Sequence, residues 1–215
     1  MTDHAAVVSP AALPRWRRVL AHPGALLVIG SLWVLIAEVL PLLAARKLFG
    51  AHPPEAVQAA VEIGVALWLI GLWKVYKRRV ERSADSELPF TGALPEWGAG
   101  LAVGFLLFSA MTGVVALLGG FAVLGLRGVG NLAAMLGVAA LSGVSEEMLF
   151  RGVLLRQLEK LVGTWWALAL TSAFFGAAHL GNPGATWFAA VAIAMEAGIL
   201  LGAAYLTTRR LWLAV

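Results

Sequence analysis

The chain of 215 residues is 60% hydrophobic and 13% charged, with a mean hydropathy of +0.85, no cysteine and a formal net charge of +4. That balance excludes a soluble globular domain, whose helices or strands need polar faces, and the missing cysteines exclude disulfides, thiolate metal sites and a cysteine nucleophile. The basic residues sit in short clusters between apolar runs of about 20 residues, the length that crosses a bilayer core, so membrane topology and not a nucleic-acid partner accounts for the charge.

In chain order, residues 1–22 read as a polar cytoplasmic tail ending in Arg15, Arg17 and Arg18. The apolar run Gly24–Ala45 is too long for a signal-peptide core and reads as a retained first span, carrying Glu38 just before Pro41. A second span, from about Ala56 to Tyr76, carries Glu62 and ends in Lys74, Lys77, Arg78, Arg79 and Arg82. A charged loop over about 77–96 follows, with Leu88-Pro89 and Leu94-Pro95 as helix breakers. The third span is expected from Trp97 to about Leu124, with Gly98, Gly100, Gly104 and Gly113 as close-approach positions.

The fourth span, Asn131–Arg156, contains the stretch LSGVSEEMLFRGVLLR. The fifth runs from Thr164 to about Gly181 and stops at Gly181-Asn182-Pro183-Gly184. The sixth, Trp187–Leu206, carries Glu196, and Leu211–Val215 opens another apolar run. Basic clusters at Arg15–Arg18, Lys74–Arg82, Arg156–Lys160 and Arg209–Arg210 would share one side of the membrane, leaving Arg46, Lys47 and Arg127 on the other. The positive-inside rule then makes the N-terminus cytoplasmic. The expected fold is an all-α, polytopic transmembrane helical bundle of about six spans plus the start of a seventh. Residues 23–130 would form three N-terminal spans and 131–215 a C-terminal core that holds the paired acids.

The chemistry concentrates in the fourth span. A charge near the centre of a spanning helix costs about 2.5–3.5 kcal/mol on insertion scales, so the adjacent Glu146 and Glu147 need a reason to be there. Glu147 and Arg151 lie four apart on one helix face in the acid-before-base order that pairs best, whereas Glu146 is rotated by about 100° and free to face a cavity as a base. His179 is the single histidine in the apolar body, and it allows two readings. It could hydrogen-bond a backbone carbonyl near a helix end, or it could share a water with Glu146, with Phe175 one turn earlier walling the pocket. Counted at ~1.5 Å per residue, Glu146 and His179 each lie ~22 Å into helices of opposite direction. They are level only if the fifth helix tilts or the fourth extends past Arg156. Glu38, Glu62 and Glu196 read as further buried acids without partners.

Glu146-Glu147 with Arg151, then Phe175-x-x-x-His179, then Ala197-Gly198 and Gly202 with Tyr205, together resemble the CPBP intramembrane endopeptidases, the CAAX prenyl protease and bacteriocin-immunity (Abi-like) family. The resemblance covers about Leu141–Val215. It implies that Glu146 activates the hydrolytic water, that His179 assists, and that Glu147 and Arg151 support the site. It implies as substrate a membrane-embedded or lipid-anchored protein, of CAAX or bacteriocin type, and as location a prokaryotic plasma membrane. No cofactor is required on this reading; a divalent metal such as zinc is what the family name adds, with Glu146 and His179 among its ligands. The family's third motif, a histidine followed four positions later by Asn or a similar residue, would fall beyond Val215. The 215-residue form is therefore expected to lack one stabilising donor, at a cost of about 10²–10³ in rate, which a form extended through the next span would recover. Two other functions fit buried acids in a bundle: a proton-coupled transporter, against which no internal repeat of the Glu-Glu-x-x-x-Arg stretch is found, and a non-enzymatic immunity or scaffold protein.

Overall fold

The computed structural model describes residues 14–83, 87–125 and 131–215. His4, most of the expected tail, and Arg127 lie outside the described residues. The helices are α1 (Arg15–Leu20), α2 (Pro23–Phe49), α3 (Glu55–Glu81), α4 (Ala93–Leu117), α5 (Leu132–Val162), α6 (Thr164–Ala178) and α7 (Trp187–Thr208). No strand occurs among the described residues, so the fold is all-α. Helices α2, α3, α4, α5 and α7 are long and apolar enough to cross a membrane. Of the six expected spans, α6 falls short: its 15 residues reach ~22 Å against a hydrocarbon core of ~30 Å.

Local chemistry explains several helix ends. The His22 ring caps α2 by accepting from the Gly24 amide at 3.1 Å, with Pro23 in the first turn, where a missing N–H costs nothing. Helix α4 differs from expectation at both ends. It begins at Ala93 because Pro95 falls in the first turn, which tolerates proline, and it stops at Leu117 rather than near Leu124. Gly119, at φ +77°, adopts the left-handed conformation. Its amide donates to Ala116 O at 3.0 Å and that of Gly120 to Val115 O at 2.9 Å, a Schellman pair that closes the helix.

Helix α5 runs on to Val162, past the expected end at Arg156. Its segment Met148–Leu155 is wound as π-helix, one of three such segments among the described residues, with Lys77–Glu81 in α3 and Ala194–Gly198 in α7. Among the described residues, α2, α3 and α5 enclose the main core around Trp73, Tyr76, Met148, Val153 and Leu155. Tyr76 stacks on Trp73 and donates its hydroxyl to Leu26 O at 3.3 Å, which pins the start of α2 to the end of α3. Helices α6 and α7 cover the other side of α5, and no described residue of α4 is buried.

The loop expected over 77–96 is shorter than that. Residues 77–81 continue α3, with Lys77 and Glu81 turned inward and Arg78 and Arg79 exposed. Lys77 bonds Glu81 and Glu87 at 2.8 Å each, Arg156 of α5 grips Glu81 with both terminal nitrogens, and Lys77 and Glu87 are buried. The residues read as topology signals thus also form a neutralised ionic clasp between α3, the following loop and α5. The segment 211–215 folds as a turn instead of beginning a helix. Its Leu211 amide donates to Glu87 O at 2.8 Å, and it runs back along α5 from Gly152 toward Gly143.

Candidate active site

The continuation of α5 decides where the site lies. Helices α5 and α6 meet at Gly163. Counted from there, Glu146 stands ~25 Å along α5 and His179 ~24 Å along α6, so the two side chains come level although the helices are antiparallel. Extension of the fourth helix to Val162 is enough to remove the discrepancy in the residue count.

Glu147 and Arg151 form the support expected from their spacing. Arg151 Nη1 donates to Glu147 Oε1 at 2.6 Å, and both residues are 2% exposed. The second arm of the guanidinium, Nη2, donates to the carbonyls of Ala197 (3.1 Å) and Gly198 (3.2 Å), in the π-wound part of α7. The wide turn of a π segment draws carbonyls out of the regular ladder and leaves them able to accept. Arg151 also lies 4.7 Å from the centre of the Phe175 ring. One cation therefore ties α5, α6 and α7 together. Gly198 permits the approach, since a Cβ there would stand 2.9 Å from Ser172 of α6. The Ala197-Gly198 motif acts through backbone carbonyls and a missing side chain, and sequence reasoning had assigned it no physical role.

Phe175 is buried, edge-on to Phe150 at 4.9 Å and 4.7 Å from the His179 ring. His179, half-buried in the turn that ends α6, has Nδ1 at 2.8 Å from Phe175 O. A carbonyl only accepts, so Nδ1 carries the proton, and in the neutral ring Nε2 presents a lone pair. Both readings of His179 are thus compatible: the carbonyl bond fixes the tautomer and leaves the other nitrogen for a ligand. Glu146, half-buried, lies within electrostatic reach of both His179 and Arg151.

Glu146 also lines a cavity of about 310 Å³ between α2, α3 and α5, together with Glu38, Glu62, Ser142 and Ser145. Glu38 is within hydrogen-bonding reach of the buried Ser145 hydroxyl and interacts with Glu146. Glu38 and Glu62 were visible in the sequence as acids inside apolar spans, but nothing in it indicated that they face Glu146. Glu196 is a correction: it is exposed on α7, because the π segment that turns the Ala197 and Gly198 carbonyls toward Arg151 leaves Glu196 on the outer side. Among the described residues, no three His, Asp or Glu side chains converge to hold a metal ion. Glu146 and His179 supply two donors where a catalytic zinc takes three, so these residues by themselves do not make a zinc site.

Five helices long and apolar enough to cross a membrane, together with a half-buried carboxylate, a tautomer-fixed histidine and a buried ion pair, are the marks of an integral membrane protein that carries a polar site. Residues 128–215 match the family model described as type II CAAX prenyl endopeptidase Rce1-like. The matched part of the chain carries Glu146, Glu147, Arg151, Phe175 and His179, and the match agrees with the resemblance of those motifs to the CPBP/CAAX proteases. No curated protein and no solved structure matches the chain.

Proposed function

We propose that the protein hydrolyses a peptide bond of a membrane-anchored protein, with Glu146 as general base. The observation that carries this reading is the division between the two adjacent acids. Glu147 is consumed by Arg151, while Glu146 has no ion-pair partner among the described residues, lines a cavity and lies within electrostatic reach of His179. A water between them would give one O–H to the Glu146 carboxylate and the other to His179 Nε2, which turns an oxygen lone pair toward the substrate carbonyl. Glu146 takes the proton as the C–O bond forms. When the tetrahedral intermediate collapses, the C–N bond breaks and Glu146 returns that proton to the departing amine, so that the products are a carboxylic acid and an amine. Arg151 is a positioning residue, setting the rotation of α5 through Glu147 and the carbonyls of α7. The proposed orientation, with the Lys77–Arg156 end in the cytoplasm, puts the ionic clasp on the side of the basic clusters.

The test is cleavage of a lipid-anchored peptide by the protein in nanodiscs, run in water enriched in ¹⁸O and read by mass spectrometry. Single-turnover label in the new carboxyl terminus, lost in Glu146→Gln, supports the reading. Cleavage by Glu146→Gln at the parent rate, or label retained in Glu146 itself as a covalent nucleophile would retain it, overturns it.

A further inference from the structure

Two cavities meet at one side chain. The cavity of Glu146 ends at Glu62 of α3, and a second, of about 350 Å³, begins there. The second is lined by Arg46 and His52 from the end of α2 and its loop, and by Gln58 and Glu62 of α3. Glu62 is the residue common to both. Gln58 Nε2 donates to its Oε1 at 3.0 Å, while Oε2 is enclosed with no hydrogen-bond partner among the described residues. Gly137 of α5 makes room for it, since a Cβ there would stand 2.5 Å from Oε2.

Counted along their helices at ~1.5 Å per residue from the Arg46–His52 end, Glu62 lies ~10 Å deep, Glu38 ~16 Å and Glu146 ~21 Å. The carboxylates descend in steps. Polar and ionisable side chains in a span mark water-filled paths, because hydrocarbon exacts several kcal/mol for each one left dry. A carboxyl oxygen that has no protein partner, set between two cavities, is suited to hydrogen-bond passing water.

We infer that the Glu62–Glu38–Glu146 series lines a water path from the Arg46–His52 end of the bundle to the site, with Glu62 and Gln58 at its neck. It rests on the proposed function only for its purpose, the supply of hydrolytic water; the path itself is independent of whether Glu146 catalyses.

The chain contains no cysteine, so single thiols report accessibility without background. The full chain in sealed proteoliposomes carries Ser142→Cys or Val138→Cys in the cavity, Arg46→Cys at the outer end, or Leu107→Cys on the apolar helix α4. The probe is a membrane-impermeant cationic methanethiosulfonate. A thiol in apolar surroundings stays protonated and inert, so the cavity positions should react roughly tenfold or more faster than Leu107→Cys, from the side that labels Arg46→Cys. Adding Glu62→Leu should slow both cavity positions by about the same factor and leave Arg46→Cys unchanged. Reaction no faster than Leu107→Cys, reaction only from the opposite side, or indifference to Glu62→Leu overturns the path. Those outcomes are read without substrate, so they separate its failure from that of the protease reading, which the Glu146→Gln cleavage test decides.

Discussion

Arg151→Met removes the cation that joins three helices, and the cost follows from what it leaves behind. Glu147 is 2% exposed and its Oε2 already lacks a partner, so losing the 2.6 Å bond to Oε1 strands the whole carboxylate. The Ala197 and Gly198 carbonyls lose their donor as well. Removing one member of a buried ion pair costs about 3–5 kcal/mol, and for a chain of this size each kcal/mol lowers the melting midpoint by roughly 2–4 °C. The drop should therefore be roughly 6–20 °C, followed by the fluorescence of the nine tryptophans in detergent or nanodiscs. Replacing both partners, Glu147→Leu with Arg151→Met, removes the stranded charge. Because apolar replacement of a buried pair is often close to neutral, the double variant should melt above the single one, keeping a deficit of about 1–3 kcal/mol for the unpaired carbonyls. A single variant melting within about 2 °C of the parent, or a double variant melting as low as the single, would refute the reasoning.

Other consequences are open to measurement. His179→Ala should lower turnover by about 10²–10⁴ with little change in melting, because its ring sits at a helix end and the lost carbonyl bond is local; equal turnover would remove His179 from the site. Gly198→Val forces a branched side chain against Ser172, where even a Cβ stands at 2.9 Å, and should cost about 1–3 kcal/mol of stability; a neutral effect would show that α6 and α7 do not depend on that approach. Arg156→Met leaves Glu81 and Glu87 buried with only Lys77 and should cost about 3–5 kcal/mol, read as the melting midpoint, whereas Arg78→Met, at an exposed position, should change it by less than about 0.5 kcal/mol.

The all-α architecture and the helix centres were legible because hydropathy runs and glycine or proline stops are local signals. The Glu147–Arg151 pair was legible for the same reason, four residues on one helix. Three kinds of feature were not. The end of α4 at Leu117 depends on Gly119 taking a left-handed conformation inside a run that remains apolar to Leu124, so hydropathy masked the stop. The extension of α5 through Arg156 to Val162 depends on Glu81, from a helix far away in sequence, neutralising Arg156. The convergence of Glu38 and Glu62 on Glu146 is a matter of helix rotation, and no single-helix pattern encodes which faces of α2 and α3 meet α5. The role of Ala197 and Gly198 was invisible for a different reason: backbone carbonyls carry no residue signature, and only the π winding presents them to Arg151.

The central claim is that two neighbouring acids have separate tasks, and paired readings on Glu146→Gln and Glu147→Gln test it most directly. Cleavage of a membrane-anchored peptide and the melting midpoint are measured on both. Glu146→Gln removes a base that has no ion-pair partner: cleavage should fall by about 10²–10⁴, while the midpoint stays within about 2 °C of the parent. Glu147→Gln leaves the Arg151 charge buried without its counterion: the midpoint should fall by roughly 6–20 °C, with most of the turnover kept at temperatures where the variant is folded. The reverse pattern, in which Glu147→Gln abolishes cleavage at a normal midpoint and Glu146→Gln remains active, would contradict the assignment.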